Sequence, residues 1–334
     1  VKRCKGLQQI YIANSPITID KFFRDINPDS PFYGEDTKWE DFTNLTDVEI
    51  YNCPKLTGLP MEMLAHVPEL QLLNVASNIG ISGAQLKADW EALIDVTSVS
   101  KVQVIYMGFH NLGETPDYQQ LKRMTSLSSI DLSHNRLHTV HPFGKGINLV
   151  KLYLNNNKLT SIPAAPDGYF SDFLDVEIMS FSFNQLTQVP DIFNAKSIYI
   201  VDEVDLSHNN ITQMQNGDNF KGINASTVDL SYNRFEIFPK QLFSAGSPIR
   251  YLLLSGNKLS EIPEHSMEGP KSHYLASIDL SLNKLSSLPK DFYATNVPYL
   301  YGVDLSGNQF ESIPVEPLDC AMLTVIILRN QRDD

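Results

Sequence analysis

Leu275 to Pro289 reads LASIDLSLNKLSSLP, or L-x-x-I-x-L-x-x-N-x-L-x-x-L-P, with Leu275, Ile278, Leu280, Asn283, Leu285, Leu288 and Pro289 at the fixed places. The same template returns along the C-terminal two thirds of the chain. Its Asn falls at Asn135, Asn157, Asn184, Asn209, Asn233, Asn257, Asn283 and Asn308, then as Gln331, in steps of 22, 27, 25, 24, 24, 26, 25 and 23 residues. A repeat of this period marks a solenoid, because one such unit cannot bury its apolar stripe alone but a stack of them shares one core.

Each fixed position has a physical task. The stretch x-x-L-x-L-x alternates, which predicts a short strand with Leu, Ile or Val facing inward and the intervening residues facing out. The Asn follows where the chain turns in. Its amide both donates and accepts, so it suits backbone groups of its own and the adjoining coil that would otherwise be buried unpaired. Pro after the last apolar position, as at Pro163, Pro190, Pro239, Pro263, Pro289 and Pro314, suits an irregular return. Phe193, Phe243 and Phe292 are placed to close the coil from that side. Strands packed at about 4.8 Å against wider returns predict a stack curved with its strands on the concave side.

Working towards the N-terminus, the template loosens. Leu7, Ile10, Ile12, Ser15 and Ile17 form a first coil, with Ser at the Asn place. Residues 18–44 interrupt the period with an acidic, aromatic insertion carrying Phe22, Phe23, Phe32, Tyr33, Trp39 and Phe42. Coils at Leu45, Val48, Ile50, Cys53, Leu56 and at Leu70, Leu73, Val75, Asn78, Ile81 follow. A second insertion, 79–101, contains SGAQLKADWEALI, where the spacing of Leu86, Trp90, Leu93 and Ile94 predicts a helix capped by Ser82. A degenerate coil then runs Val102, Ile105, Met107, His110, Leu112, Pro116. The expected organisation is a single domain over 1–334 of about 13 coils, irregular over 1–117 and regular over 118–334. The last coil, Leu323-x-x-Ile326-x-Leu328, stops where its turn should begin and lacks a polar cap, so a fragment of a longer chain is expected.

Composition excludes some functions. A net charge of −13 argues against nucleic acid and against docking on an anionic membrane, and favours a basic or neutral partner. No apolar run reaches the roughly 18 residues of a membrane span. The chain begins VKRCKG, which is not a signal peptide. Cys4, Cys53 and Cys320 form no disulfide framework, and Cys4 and Cys320 share a register before Leu7 and Leu323 that suits structural repeat positions. No H-E-x-x-H, G-x-S-x-G, phosphate loop or G-x-G-x-x-G is present, so no catalytic residue and no cofactor is assigned.

The recurring L-x-x-L-x-L-x-x-N-x-L-x-x-I/L-P pattern resembles the leucine-rich repeat, over nearly the whole chain. The mixture of regular 24-residue coils with irregular, inserted N-terminal ones is similar to bacterial surface or secreted members. The resemblance implies an α/β fold, a right-handed solenoid shaped as a curved horseshoe with a parallel β-sheet on its concave face. It also implies a non-catalytic scaffold that binds proteins there, extracellular or at the bacterial cell surface. Two rival functions stand beside it: a glycan-binding surface module, and the repeat scaffold of a larger effector or adhesin whose active domain lies elsewhere.

Function should lie in the free, outward positions. Their middle column reads Tyr11, Glu49, Asn74, Tyr106, Asp131, Tyr153, Ser180, Asp205, Asp229, Leu253, Asp279, Asp304 and Ile327. Tyr106, Asp131 and Tyr153, with Lys151 beside them and Phe109 and Phe183 near the turn edge, have the make-up of an interface anchor. The blander reading is that D-L-S is common repeat wording. Asp205 and Asp229, and Asp279 and Asp304, would sit as like charges on adjacent strands. They form either an acidic track for a basic partner or carboxylates offset by serine hydroxyls. Tyr251, Leu253, Val325 and Ile327 place apolar groups on the same face. His134, His138 and His141 invite a zinc reading, but strand edge, turn and return should point them apart, so no metal is assigned. Asn44 and Asn224 match the glycosylation sequon.

Overall fold

The computed structural model describes residues 6–19, 28, 29, 31, 42–141, 149–162, 176–191, 201–293, 297–314 and 322–331. They fall into two compact units, Val1–Lys158 and Leu159–Asp334. Most of the first insertion, Cys4, Cys320, Pro163 and Phe193 lie outside the described residues.

The first unit carries β1 (Gln9–Ala13), β2 (Asp47–Tyr51), β3 (Leu72–Asn74), β4 (Val104–Tyr106), β5 (Ser129–Asp131) and β6 (Lys151–Tyr153). The second carries β7 (Ile178–Ser180), β8 (Gln188–Val189), β9 (Val201–Asp205), β10 (Gln213–Met214), β11 (Ala225–Asp229), β12 (Tyr251–Leu253), β13 (Ser277–Asp279), β14 (Gly302–Asp304) and β15 (Val325–Ile327). Within each unit the repeat strands pair in parallel with their successors, and Ile105 faces Ile130 while Ile278 faces Val303. The short β8 and β10 pair separately, on the return side of the coil.

The period-2 alternation is realised. Val48, Leu73, Ile105, Ile130, Leu152, Met179, Val204, Val228, Leu252, Ile278 and Val303 are buried, while most of their strand neighbours are half-exposed; Ser180 and Gly302 are buried and Glu203 is exposed. The expected closure from the return side holds at Phe243 and Phe292, both buried, and Phe238 stacks parallel to Phe243 at 6.1 Å. Burial weakens in the last coils, where Ile313 is 63% and Val325 45% exposed and Leu288 is half-exposed.

The asparagines do what their chemistry allows. Asn257 Oδ1 accepts the Phe235 N–H at 3.1 Å, and its Nδ2 donates to the carbonyls of Leu230 at 2.9 Å and Leu254 at 3.0 Å. The pattern repeats from coil to coil. The Leu254 carbonyl also receives Asn283, the Leu280 carbonyl receives Asn283 and Asn308, and in the first unit the Leu132 carbonyl receives Asn135 and Asn157. Asn78, Asn184, Asn209 and Asn233 are likewise buried and bonded. Each amide thus ties its own coil to the preceding one. Gln331 reproduces the scheme, accepting from Phe310 and donating to Leu305. His110 reproduces part of it: one ring nitrogen meets the Val75 carbonyl at 2.8 Å, and Nδ1 is buried without a partner among the described residues. Burial pushes the His110 imidazole below its ordinary range, consistent with a neutral ring whose Nε2–H faces that carbonyl.

The predicted helix spans Gly83–Asp95, with Ser82 Oγ accepting from the Gln85 N–H at 3.2 Å. Leu86, Trp90, Leu93 and Ile94 are buried. Gly83 is required, because a β-carbon there would lie 2.0 Å from the Asn111 carbonyl oxygen. Asp89 is buried as well, which the apolar spacing did not foresee. Its carboxylate accepts the Leu59 N–H at 2.7 Å and the Gln85 side chain at 2.7 Å, so it pins the helix to the preceding coil.

Asn257→Ala removes the acceptor of the buried Phe235 N–H and one donor to each of the Leu230 and Leu254 carbonyls, which keep Asn233 and Asn283. A buried group left unpaired costs about 1–3 kcal/mol. Urea unfolding should show a loss of about 2–3 kcal/mol; a loss within error of zero would contradict the role given to the amide.

Candidate functional site

The strand register sets the candidate contacts side by side. Tyr106 of β4 faces Asp131 of β5, which faces Tyr153 of β6, and all three are half-exposed on the sheet surface opposite the core. Lys151 lies on the same face two residues before Tyr153 and is also half-exposed. Towards β1 the row continues through Asn74, Glu49 and Tyr11, and the Asn74 amide donates to Glu49 at 3.0 Å. Ser129 sits opposite Lys151, so the tyrosines and the lysine share a surface with small neighbours.

In the second unit Asp205 faces Asp229, and Asp279 faces Asp304. Serine hydroxyls and backbone amides offset part of this charge. Asp131, Asp205, Asp229, Asp279 and Asp304 each turn Oδ1 to the backbone N–H two residues on, at 2.8–3.0 Å. Ser207 Oγ adds a bond to Asp205 at 2.7 Å, and Ser180 Oγ donates to its other oxygen at 3.1 Å. The aspartates therefore cap the turn that follows their strand, as Asn74 does for the Ala76 N–H at 3.2 Å. Their charge nevertheless remains concentrated. Burial, then the neighbouring Asp205 and Asp229, push the Glu203 carboxyl above the usual range. Burial, with Asp205, likewise pushes Asp229 up, partly offset by its Ser231 hydrogen bonds and by His208. Tyr251, Leu253, Val325 and Ile327 lie on this face with apolar groups partly open to solvent.

One feature of the edge escaped the sequence reading. The residue before each Asn, or before its substitute, adopts the left-handed conformation: Asn14, Asn52, Ser77, Phe109, His134 and Asn156 in the first unit, and Phe183, His208, Tyr232, Gly256, Leu282, Gly307 and Asn330 in the second. Gly and Asn tolerate that conformation, whereas bulky residues bear a cost of about 1–2 kcal/mol. The bulky ones pack on one another across the coils. Phe109 stacks on His134 at 4.1 Å, and Phe183, His208 and Tyr232 form a continuous stack at 4.1 and 4.5 Å. Tyr232 then lies over Gly256, where a β-carbon would stand 2.7 Å from its ring. The signal was positional: this residue always precedes the Asn.

Of His134, His138 and His141, the first lies on the Phe109 ring, while the other two both act on the Glu114 carboxyl and, after the Lys87 hydrogen bond, help hold it below its ordinary range. His138 lies against Gly113, and the His141 N–H bonds Thr115 at 2.9 Å. The Asn224 sequon is 3% exposed and unavailable in the folded chain, whereas Asn44 is exposed. No helix among the described residues is long and apolar enough to cross a membrane.

Similarity to known proteins agrees with this geometry. The Leucine Rich Repeat family profile matches residues 148–168. A solved leucine-rich repeat protein of Bacteroides thetaiotaomicron is 43% identical with a TM-score of 0.89, the match covering 99% of this chain and 41% of that one. One from Bacteroides eggerthii is 42% identical with a TM-score of 0.88, covering 99% of this chain and 56% of that one. Lumican of Rattus norvegicus is 31% identical over 163 residues, 47% of this chain and 46% of lumican. The chain spans about half the length of the curated relatives it matches.

Asp229→Asn separates the cap from the charge. An Asn Oδ1 still accepts the Ser231 N–H, as Asn74 does for Ala76, but the half-buried negative charge is gone. Because the folded carboxyl is raised, the native state holds its proton more tightly than the unfolded chain. Stability is therefore lost as pH rises from the unfolded carboxylate value of about 3.9 through the raised folded value. The Tm of Asp229→Asn relative to the parent should climb between pH 4 and pH 7.5, while Asp229→Ala, lacking the cap, should melt below Asp229→Asn at both. A constant difference across pH would show that the charge carries no penalty.

Proposed function

Because the chain is built of leucine-rich repeats, we propose that it is a non-catalytic scaffold that binds another protein through the outward face of its strands. The observation carrying this reading is the register that places Tyr106, Asp131 and Tyr153 on three adjacent strands, half-exposed, with Lys151 beside them. Tyrosine offers large contact area at low entropic cost, and a rigid sheet holds it in place before binding. The Asp205–Asp229 and Asp279–Asp304 pairs and the net charge of −13 favour a partner with basic groups opposite them. The 42% and 43% identity to Bacteroides proteins supports a bacterial chain, displayed at the cell surface or secreted.

The test is affinity. A partner captured on the immobilised chain and then purified would be titrated by biolayer interferometry against the parent and the Tyr106→Ala/Tyr153→Ala double variant. Both are half-exposed, so the fold should survive, with an unchanged circular dichroism melt as control. At least a tenfold loss, about 1.4 kcal/mol, is expected. Parent-like binding by the folded double variant would remove these residues from the interface, and saturable glycan-array binding that the double variant loses would favour a carbohydrate ligand instead.

A further inference from the structure

The returns of two successive coils in the second unit bring together a set of side chains with metal-binding chemistry. His265 Nδ1 lies 2.8 Å from Glu268 Oε1 and 3.4 Å from Asp291 Oδ2. Among the described residues this is the group of His, Cys, Asp and Glu whose ligand atoms all fall within 4.8 Å of one another. We propose that His265, Glu268 and Asp291 form a site for a first-row divalent transition ion of the zinc type.

Three observations support it. Ligands about 2.0–2.1 Å from a tetrahedral zinc stand about 3.3 Å apart, and the 2.8 and 3.4 Å separations bracket that edge. The other oxygen of Asp291, Oδ1, is shut off from solvent and accepts no hydrogen bond among the described residues. A carboxylate so placed is costly to keep charged, and a cation held by Oδ2, which faces the imidazole and also accepts the His265 N–H at 2.6 Å, would offset the charge of the whole group. Finally, Glu264 adds a third negative group near His265, so the locality is electronegative. One imidazole nitrogen with two carboxylates suits zinc better than calcium, which takes six to eight oxygens. The ligands come from one return and the next, 26 residues apart at His265 and Asp291, so a bound ion would clip two coils together. Exposure of His265 and Glu268 leaves room for water or a further ligand.

Isothermal titration of the metal-free chain with ZnCl2 tests the site, with CaCl2 as comparison. His265→Asn is the cleanest variant, since His265 has φ +63° and Asn tolerates that conformation while losing the imidazole. Glu268→Gln, at an exposed position, serves if the first variant fails to fold. One saturable zinc per chain is expected at this site, weakened at least tenfold in His265→Asn and in Glu268→Gln, with no comparable response to calcium. Absence of saturable zinc binding, or parent-like affinity in the folded variants, would overturn the assignment.

Discussion

The structure depends on a buried side-chain amide. Where the chain leaves each strand and turns inward, the backbone exposes an N–H and carbonyls to an apolar interior with no sheet to receive them. An Asn at that place answers with one acceptor and two donors. It does so across coils: Asn209 takes the Leu186 N–H at 2.9 Å and gives to Phe181 and Leu206, in the preceding coil and its own. The strand-end carbonyls receive two such donors each through most of the second unit. Core apolar residues supply the drive to collapse, but hydrophobic contact is non-directional and does not set the spacing or register of coils. The amide does. The substitutions are graded accordingly: Gln331 retains donor and acceptor, His110 retains one bond, and Cys53 manages weak contacts of 3.4 and 3.9 Å.

With the turn held this way, the outward positions acquire a fixed geometry. The aspartate column shows how one residue serves two ends. Oδ1 caps the Ser N–H that follows the strand, which makes D-x-S a structural phrase. The second oxygen and the charge remain at the surface, and stacking the coils brings those charges together at Asp205 and Asp229. The raised Asp229 and Glu203 carboxyls reflect their burial together with that crowding. The ring stack of Phe183, His208 and Tyr232 has similar logic, with parallel packing offsetting a backbone conformation these residues otherwise avoid.

Most of the fold was legible because its determinants are local and repeated. Ile278, Leu280 and Asn283 state strand, core and turn within six residues, and the repetition removes the ambiguity of any single copy. The Ser82 cap and the Leu86–Trp90–Leu93 spacing likewise gave the inserted helix. What stayed hidden depends on contacts between residues one coil or more apart. Asp89 reads as part of a polar helix face, and only the position of Leu59, 30 residues earlier, shows why it is buried. His134 stacks on the Phe109 ring of the preceding coil, and His265 meets Asp291 from the next return. The Tyr106, Asp131 and Tyr153 row was readable because register follows from the repeat; what that row binds is not encoded in the row itself.

Native-state hydrogen exchange at the amides held by asparagine side chains tests the central claim most directly. The Leu186, Ile211, Phe235, Leu259 and Leu285 N–H groups each donate to an Asn Oδ1 rather than to another strand. If the amide column holds the coils, these protons should exchange as slowly as the strand amides of Val228 and Leu252, through unfolding of the unit. Exchange as fast as that of an exposed loop, with the strand amides still protected, would show that the turns open independently and that the column does not set the stack.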